Sequence, residues 1–308
     1  MSLAPIAFFA YSRPQHTFRA LQSLAKNLLI SDSELFIFCD GPKQNDTFDN
    51  LKRIEEVRHI ASSVNFCKKV RVVLSEENMG LAKSIVNGVT QLTNEYGKVI
   101  VIEDDLLTSP GFLQYCNKGL ELYEDENKLM HISGYMYPQL RYPFRKPVPE
   151  TFVLRMMACW GWATWKRAWA NYRESSEDIL HELYSSDLIN QFNLDGSTKS
   201  FEHQLILNNE KKINTWAVKW YASIFLKNGL CLFPKTSLVK NIGNDGSGIH
   251  GGTAEIYDKQ KTISKVDVQP IELKINKTSE SRAKWFHHFI EKRKSLFDKV
   301  IEKLNFIC

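Results

Sequence analysis

The chain has 308 residues, 43% hydrophobic and 24% charged, with a formal net charge of +5. That is an ordinary globular composition, long enough to bury a core without staples. A charge this mild favours a phosphate-bearing ligand or an acidic surface and does not indicate a nucleic-acid binder.

The first third alternates short apolar runs with helical spacing. Residues 5–11 (PIAFFAY), 35–39 (LFIFC), 70–74 (VRVVL) and 99–102 (VIVI) are rich in β-branched and aromatic residues and read as buried parallel strands. Between the first two, Phe18, Leu21, Leu24 and Leu28 recur at helical spacing, with Pro14 placed to open the helix. Leu81, Ile85, Val89 and Leu92 repeat the pattern before the fourth run. This predicts an α/β fold with a mostly parallel sheet and flanking helices. In such sheets ligands gather beyond the carboxyl ends of the strands, and every one of those ends is polar here. Ser12 and Arg13 follow the first strand, Asp40 the second and Glu76, Glu77 and Asn78 the third.

The fourth strand ends in Glu103, Asp104 and Asp105. Three adjacent carboxylates repel one another and are best tolerated where a cation neutralises them. Mg²⁺ and Mn²⁺ favour such oxygen ligands and commonly sit between carboxylates and substrate phosphates. The competing reading is a solvated acidic turn. Ser109 and Pro110 directly afterwards read as an N-cap and a first-turn residue, so a helix is expected to restart at once.

Taken in order, "FFAYSRP…LQSL", "FIFCDGP", "ENMGLAKSIVNGV" and "VIVIEDDLLTSPGFLQY" resemble the GT-A glycosyltransferases, and within them the N-acetylglucosaminyltransferase I family and its bacterial relatives. The resemblance covers residues 3–125 well and is looser over 150–255. It implies a GT-A-like (Rossmann-like) fold and transfer of a sugar from a UDP-sugar, UDP-N-acetylglucosamine being the family's donor, to a glycan or lipid-linked acceptor. It also implies a divalent ion, Mn²⁺ or Mg²⁺. Carried over by position, Asp105 is the direct metal ligand, and Glu103 and Asp104 face the ribose and the metal's water shell. Arg13 and Asp40 hold the uracil and ribose end, while Asn78, Gly80 and Lys83 line the donor pocket. Lys83 reads equally well as a solvent-facing helix residue, and Asp40 before Gly-Pro as a turn initiator.

Beyond residue 130 the signals thin. Residues 1–130 read as the nucleotide-sugar half, 131–255 as the acceptor and catalytic half of the same domain, and 256–308 as an extension. Trp162, Trp165 and Trp169 fall at helical spacing, with Trp165 and Trp169 assigned to the core. Trp160 and Gly161 are pocket candidates because the similar family has a Gly-Trp near its donor sugar. A helix is expected around 216–228, closed by Gly229, and a strand at 231–233. Inverting transfer needs a general base. In the similar family this is an aspartate, and the matching segment here, "STKSFEHQLIL", offers Glu202 instead, with Asp195 as fallback and His203 weaker. The Gly-rich residues 241–253 lack the lysine spacing of a phosphate loop and read as a lid, from which Ser247 and His250 would reach the phosphates.

The tail from residue 278 reads as one basic amphipathic helix that docks on its own domain, pairs with a second copy or touches an anionic membrane. Residues 5–10 are too short for a signal peptide, and no uncharged stretch of about 18 residues occurs. The six cysteines, Cys39, Cys67, Cys116, Cys159, Cys231 and Cys308, show no metal-knuckle spacing and read as reduced thiols. The expected location is therefore cytoplasmic, with peripheral contact at the inner membrane face. Two other functions fit parts of the pattern: a nucleotidyltransferase that makes nucleotide-sugars, and a non-catalytic nucleotide-sugar binder. The first normally carries a Gly-rich loop after its first strand, where this chain has "AYSRPQHT".

Overall fold

The four N-terminal apolar runs become four parallel strands in the computed structural model, which describes residues 2–138, 146–243, 257 and 260–305. They are β1 (Ile6–Ala10), β2 (Glu34–Cys39), β3 (Lys69–Leu74) and β4 (Lys98–Glu103). Helices α1 (Pro14–Leu24), α2 (Phe48–Ser62) and α3 (Leu81–Tyr96) link them. Pro14 opens α1, where its preset φ suits the helix and its missing N–H costs nothing. The α1 spacing is only half used: Leu21 and Leu24 are buried, whereas Phe18 is exposed and Leu28 lies beyond the helix end. Helix α3 buries Ile85, Val89 and Leu92 and stops at Gly97, whose φ of 78° admits the left-handed cap.

The remaining elements are β5 (Leu106–Thr108), α4 (Phe112–Leu122), β6 (Leu129–Ser133), β7 (Thr151–Leu154), β8 (Trp162–Trp165) and α5 (Lys166–Trp169). Then come α6 (Ser176–Ser185), α7 (Ile189–Phe192), α8 (Ser200–Asn209), α9 (Ala217–Leu226), β9 (Leu230–Pro234) and β10 (Val239–Asn241). A C-terminal helix spans Lys277–Asn305. One eight-stranded sheet runs β3-β2-β1-β4-β8-β6-β9-β7, and β5 and β10 form a separate antiparallel pair. Only β8 and β7 run against the other six strands. The expected α/β architecture, a mostly parallel sheet with flanking helices and a terminal helix, is the one observed.

Three local expectations are corrected. The run 70–74 is the sheet's outer strand rather than a buried one, with Val73 and Leu74 exposed, because β3 has a neighbour on one side only. Trp162 and Trp165 lie on strand β8, not on a helix. Their run fills the gap between β4 and β6, and helical geometry begins only at Lys166. An odd separation along a strand sends them to opposite faces: Trp162 stacks on Trp216 at 5.1 Å, and the Trp165 indole donates to the Leu120 carbonyl. Trp165 and Trp169 are buried, as expected of core residues. Helix α4 starts at Phe112 with Gly111 as its cap, so Ser109 contributes its carbonyl to Phe112 N–H rather than a side-chain cap.

The helix at 217–226 and the strand at 230–234 form where expected. The C-terminal helix docks on its own chain through Ala283, Phe286 and Ile290. Cys39, Cys67, Cys116, Cys159 and Cys231 are unpaired. Among the described residues no helix is long and apolar enough to cross a membrane.

Candidate functional site

The strand order creates the site. From β1 the chain moves outward through β2 and β3, then returns to place β4 on β1's other side. At such a reversal the connections leave the two central strands in opposite directions and a crevice opens beyond their carboxyl ends. Arg13, at the head of α1, borders it on the β1 side. Glu103, the last residue of β4 and the register partner of Phe9, borders it on the other, followed by Asp104 and Asp105.

Arg13 answers the acids directly. Its Nη2 donates to Asp104 Oδ1 and, at 3.0 Å, to Asp105 Oδ2. Burial works against its charge, but Asp104 and Asp105 hold its pKa above the ordinary arginine value. One guanidinium does not balance three carboxylates. Burial first, then the charges of Asp105 and Asp104, push Glu103 up to about 8. Burial likewise raises Asp104 to about 6, although Arg13 pulls it back. The crevice therefore holds more negative charge than its own cation offsets.

The start of the Gly-rich segment is built onto Asp105. Strand β10 pairs with β5, just after the cluster, and carries the chain to Ile242, whose N–H donates to the Asp105 carbonyl at 2.8 Å. A Cβ on Gly243 would collide with Asp105 Oδ2, so only glycine allows this approach. His16 Nε2 lies 3.3 Å from the Ile242 carbonyl. Ser247 and His250 fall outside the described residues.

Asp40 is differently occupied. Its carboxylate accepts from the N–H groups of Gly41, Met79 and Gly80 and from Asn78 Nδ2, at 2.8–3.1 Å. Asn78 also donates to the Gly41 carbonyl. This knot ties the β2 end to the β3–α3 turn, where Gly80 holds φ 76°. Lys83 is exposed on α3. Tyr11, just after β1, donates to Asp46, and Asn50 donates to both.

Trp160 and Gly161 immediately precede β8, whose first residue pairs with Val101 and Ser133, so they sit at the carboxyl ends of β4 and β6. Trp160 packs edge-on against Tyr135 at 4.6 Å and Tyr257 at 5.1 Å. Gly161, φ 65°, is closed in by Val239 and Phe112. Neighbouring Cys159 is pushed up to about 12 by burial and then by Glu103's charge.

Glu202 occupies the first turn of α8. Tyr184 OH donates to Oε1 at 2.6 Å and Asn193 Nδ2 to Oε2 at 2.9 Å, while Glu202's own N–H donates to Asn193 Oδ1. These bonds join it to α6 and the turn after α7; none of them reaches Arg13 or the acidic cluster. Asp195 pairs with Lys284 of the C-terminal helix, and His203 is exposed.

No preformed cage exists among the described residues, since no group of three or more His, Cys, Asp and Glu side chains converges on one point. The donor chemistry nevertheless fits a divalent ion. The candidates are carboxylate oxygens, and the guanidinium bridging Asp104 and Asp105 shows that a cation is at home there. Mg²⁺ and Mn²⁺ need only one or two protein carboxylates when water and phosphate complete the shell.

Two residues near the cluster were not singled out as site residues in the sequence: His16 and Gly243. Gly243 had a faint signal as the first glycine of its loop. His16 had none, because its proximity arises only on folding.

No family model matches the chain, and no curated protein matches it. Among solved structures it is similar to the mannosyltransferase PcManGT from Pyrobaculum calidifontis in complex with GDP-Man and Mn²⁺. That match has 14% identity over 44% of this chain and 36% of that one, with a TM-score of 0.33. It is also similar to the galactosyltransferase LgtC in complex with donor and acceptor sugar analogues, at 9% identity over 72% and 70% of the two chains and a TM-score of 0.37. A UDP-glucose pyrophosphorylase complexed with UDP-glucose matches at 12% identity over 76% and 91%, with a TM-score of 0.39. The chain spans about a third of the length of the mannosyltransferase it matches. Likenesses this divergent leave function to the chemistry of the site.

Proposed function

We propose that the protein transfers a sugar from a nucleotide-sugar donor to an acceptor hydroxyl with the help of a divalent ion. The observation that carries this reading is the under-neutralised Glu103–Asp104–Asp105 cluster facing Arg13 across the β1–β4 crevice. A diphosphate alone would be repelled by the acids, and a metal alone would leave its coordination shell open. A metal and a diphosphate together satisfy both. A UDP-sugar is the donor class, UDP-N-acetylglucosamine included, and a glycan or lipid-linked sugar the acceptor, as in polysaccharide biosynthesis.

In this reading Asp105 holds the ion and Asp104 supports it through the shared Arg13. When bound, the ion supplies charge stabilisation for the departing diphosphate. Arg13 balances the residual charge on the acids. Glu103 faces the ribose. Asp40 sets the shape of the β2–β3 rim, and Asn78, Gly80 and Lys83 extend it toward the donor. Trp160 and Gly161 wall the sugar side. The Gly-rich segment that starts at Gly243 and carries Ser247 and His250 closes over the diphosphate and excludes water. Glu202 is the base, exchanging its Tyr184 bond for the acceptor hydroxyl and so favouring inversion. The C-terminal helix beyond its docked part is the segment for membrane contact or self-association. Unchanged liposome binding after removal of residues 294–308 would end the membrane half of that idea.

Calorimetric titration with a panel of nucleotides and nucleotide-sugars, first with Mn²⁺ and then with EDTA, tests the donor assignment. Metal-dependent binding of UDP or a UDP-sugar that disappears in Asp105→Ala is the expected result. No nucleotide binding under either condition overturns it. Turnover of a sugar 1-phosphate with UTP, in place of sugar transfer, would move the assignment to nucleotidyl transfer.

A further inference from the structure

A cleft of about 230 Å³ opens at the far edge of the sheet, where outermost β7 ends. Four steps of strand order separate β7 from β4. The antiparallel β7–β9 register sets Leu154 opposite Cys231, near the start of β9, so the cleft lies at the end of the sheet away from Glu103.

Five charged side chains line it: Arg155, Asp195, Lys277, Glu280 and Lys284. Both acids have partners. Lys284 Nζ is 2.6 Å from Asp195 Oδ2 and 3.4 Å from Glu280 Oε1, and Lys277 Nζ is 3.1 Å from Glu280 Oε2. Arg155 is unanswered, with no carboxylate in ion-pair range among the described residues. Its guanidinium lies over the Phe225 ring at 4.1 Å, and its Nη2 donates to the Phe225 carbonyl and Asn228 Oδ1 at the end of α9. Nη1 has only the Gln191 amide oxygen, at a long 3.5 Å. Three cations against two anions leave one positive charge, and it resides on a half-buried group that does not give up its proton.

The wall beside it has an uncommon backbone. Leu194 and Asp195 hold φ values of 56° and 53°, a left-handed backbone that side-chain-bearing residues adopt only when their surroundings impose it. Leu154 and Ile275 add an apolar side.

We propose that this cleft binds a carboxylate-bearing sugar. The carboxylate accepts a charge-assisted hydrogen bond from Arg155 Nη1, the nitrogen left without a short partner. Asp195, Glu280 and Gln191 accept the ring hydroxyls, and Leu154 and Ile275 meet the apolar ring face. A neutral sugar would leave the guanidinium unanswered. A diphosphate would add charge against Asp195 and Glu280. The site is thus distinct from the β1–β4 crevice and does not depend on the transfer reaction.

Titration of the full chain with methyl glucuronide, methyl glucoside and inorganic phosphate, followed by NMR shifts, tests this. Saturable one-to-one glucuronide binding, about tenfold or more tighter than for glucoside or phosphate, is expected from one charge-assisted pair. Arg155→Gln should weaken it about tenfold. Because Arg155 also clamps the end of α9, exposed Gln191→Glu is the cleaner variant: it sets a carboxylate beside Nη1 and should remove glucuronide binding at unchanged thermal stability. Asp105→Asn should bind glucuronide normally, and Gln191→Glu should bind nucleotides as the parent does, so this site and the proposed donor site fail separately. Equal affinity for glucoside, tighter binding of phosphate, indifference to Gln191→Glu, or no saturable binding of the glucuronide would each overturn the proposal.

Discussion

Asp40 follows β2 and Glu103–Asp105 closes β4, at the same end of the two parallel strands that flank β1, yet their surroundings differ in kind. Asp40 receives three backbone N–H groups and one amide, so its charge is spent on holding a turn. The acids at the end of β4 share one guanidinium, and two of them are driven toward holding their protons. A saturated carboxylate builds structure. A crowded, underpaired set of carboxylates is where the proposed function places a cation from outside. Glu202 resembles Asp40 in having both oxygens occupied, and so it tests the rule most sharply.

The largest effect is expected there. If Glu202 exchanges partners during the reaction, Glu202→Gln cuts turnover by ~10²–10⁴-fold and leaves nucleotide affinity intact. A stability loss with normal turnover would class it with Asp40. Asp105→Ala should weaken metal-dependent nucleotide binding ~100-fold or more, read by calorimetry, with little loss of stability. Asp40→Ala should cost mainly stability, about 3 kcal/mol in urea unfolding, because the buried Gly41 N–H and the part-buried N–H groups of Met79 and Gly80 lose their acceptor. Gly243→Ala, which forces Asp105 aside, should weaken Mn²⁺-dependent nucleotide binding about tenfold.

The smallest effect is a pH slope. Glu103 and Asp104 bind protons more tightly folded than unfolded, so the protein gains stability from them at low pH. That gain is complete below the ordinary carboxylate pKa. It is lost as pH rises, through about 6 for Asp104 and about 8 for Glu103. Glu103→Gln should flatten the decline between about pH 6 and 8, measured as melting temperature against pH. An unchanged slope would mean the crowding at Glu103 is relieved.

Much of the framework was legible beforehand because its signals are local. Apolar runs of strand length, helical spacing, Pro14 at a helix start and Gly229 after a helix end each report on a few adjacent residues. The acidic tip of β4 was legible for the same reason, as was the C-terminal helix. The Trp162–Trp169 stretch misled because three- and four-residue spacing also fits a short strand running into a helix.

The partners were set by the fold. Arg13 meets Asp104, Gly243 meets Asp105, Asp40 meets Gly80, and Arg155 stands over Phe225, each across a long span of chain. Strand order decides such meetings, and no periodicity records it. The sequence by itself determined the four N-terminal strands, the helices led by Pro14 and Leu81 and the terminal helix, and where the polar ends of those strands fall. Only the tertiary structure decided which polar ends are satisfied and which keep charge in reserve, because hydrogen-bond saturation and burial depend on neighbours supplied by distant parts of the chain.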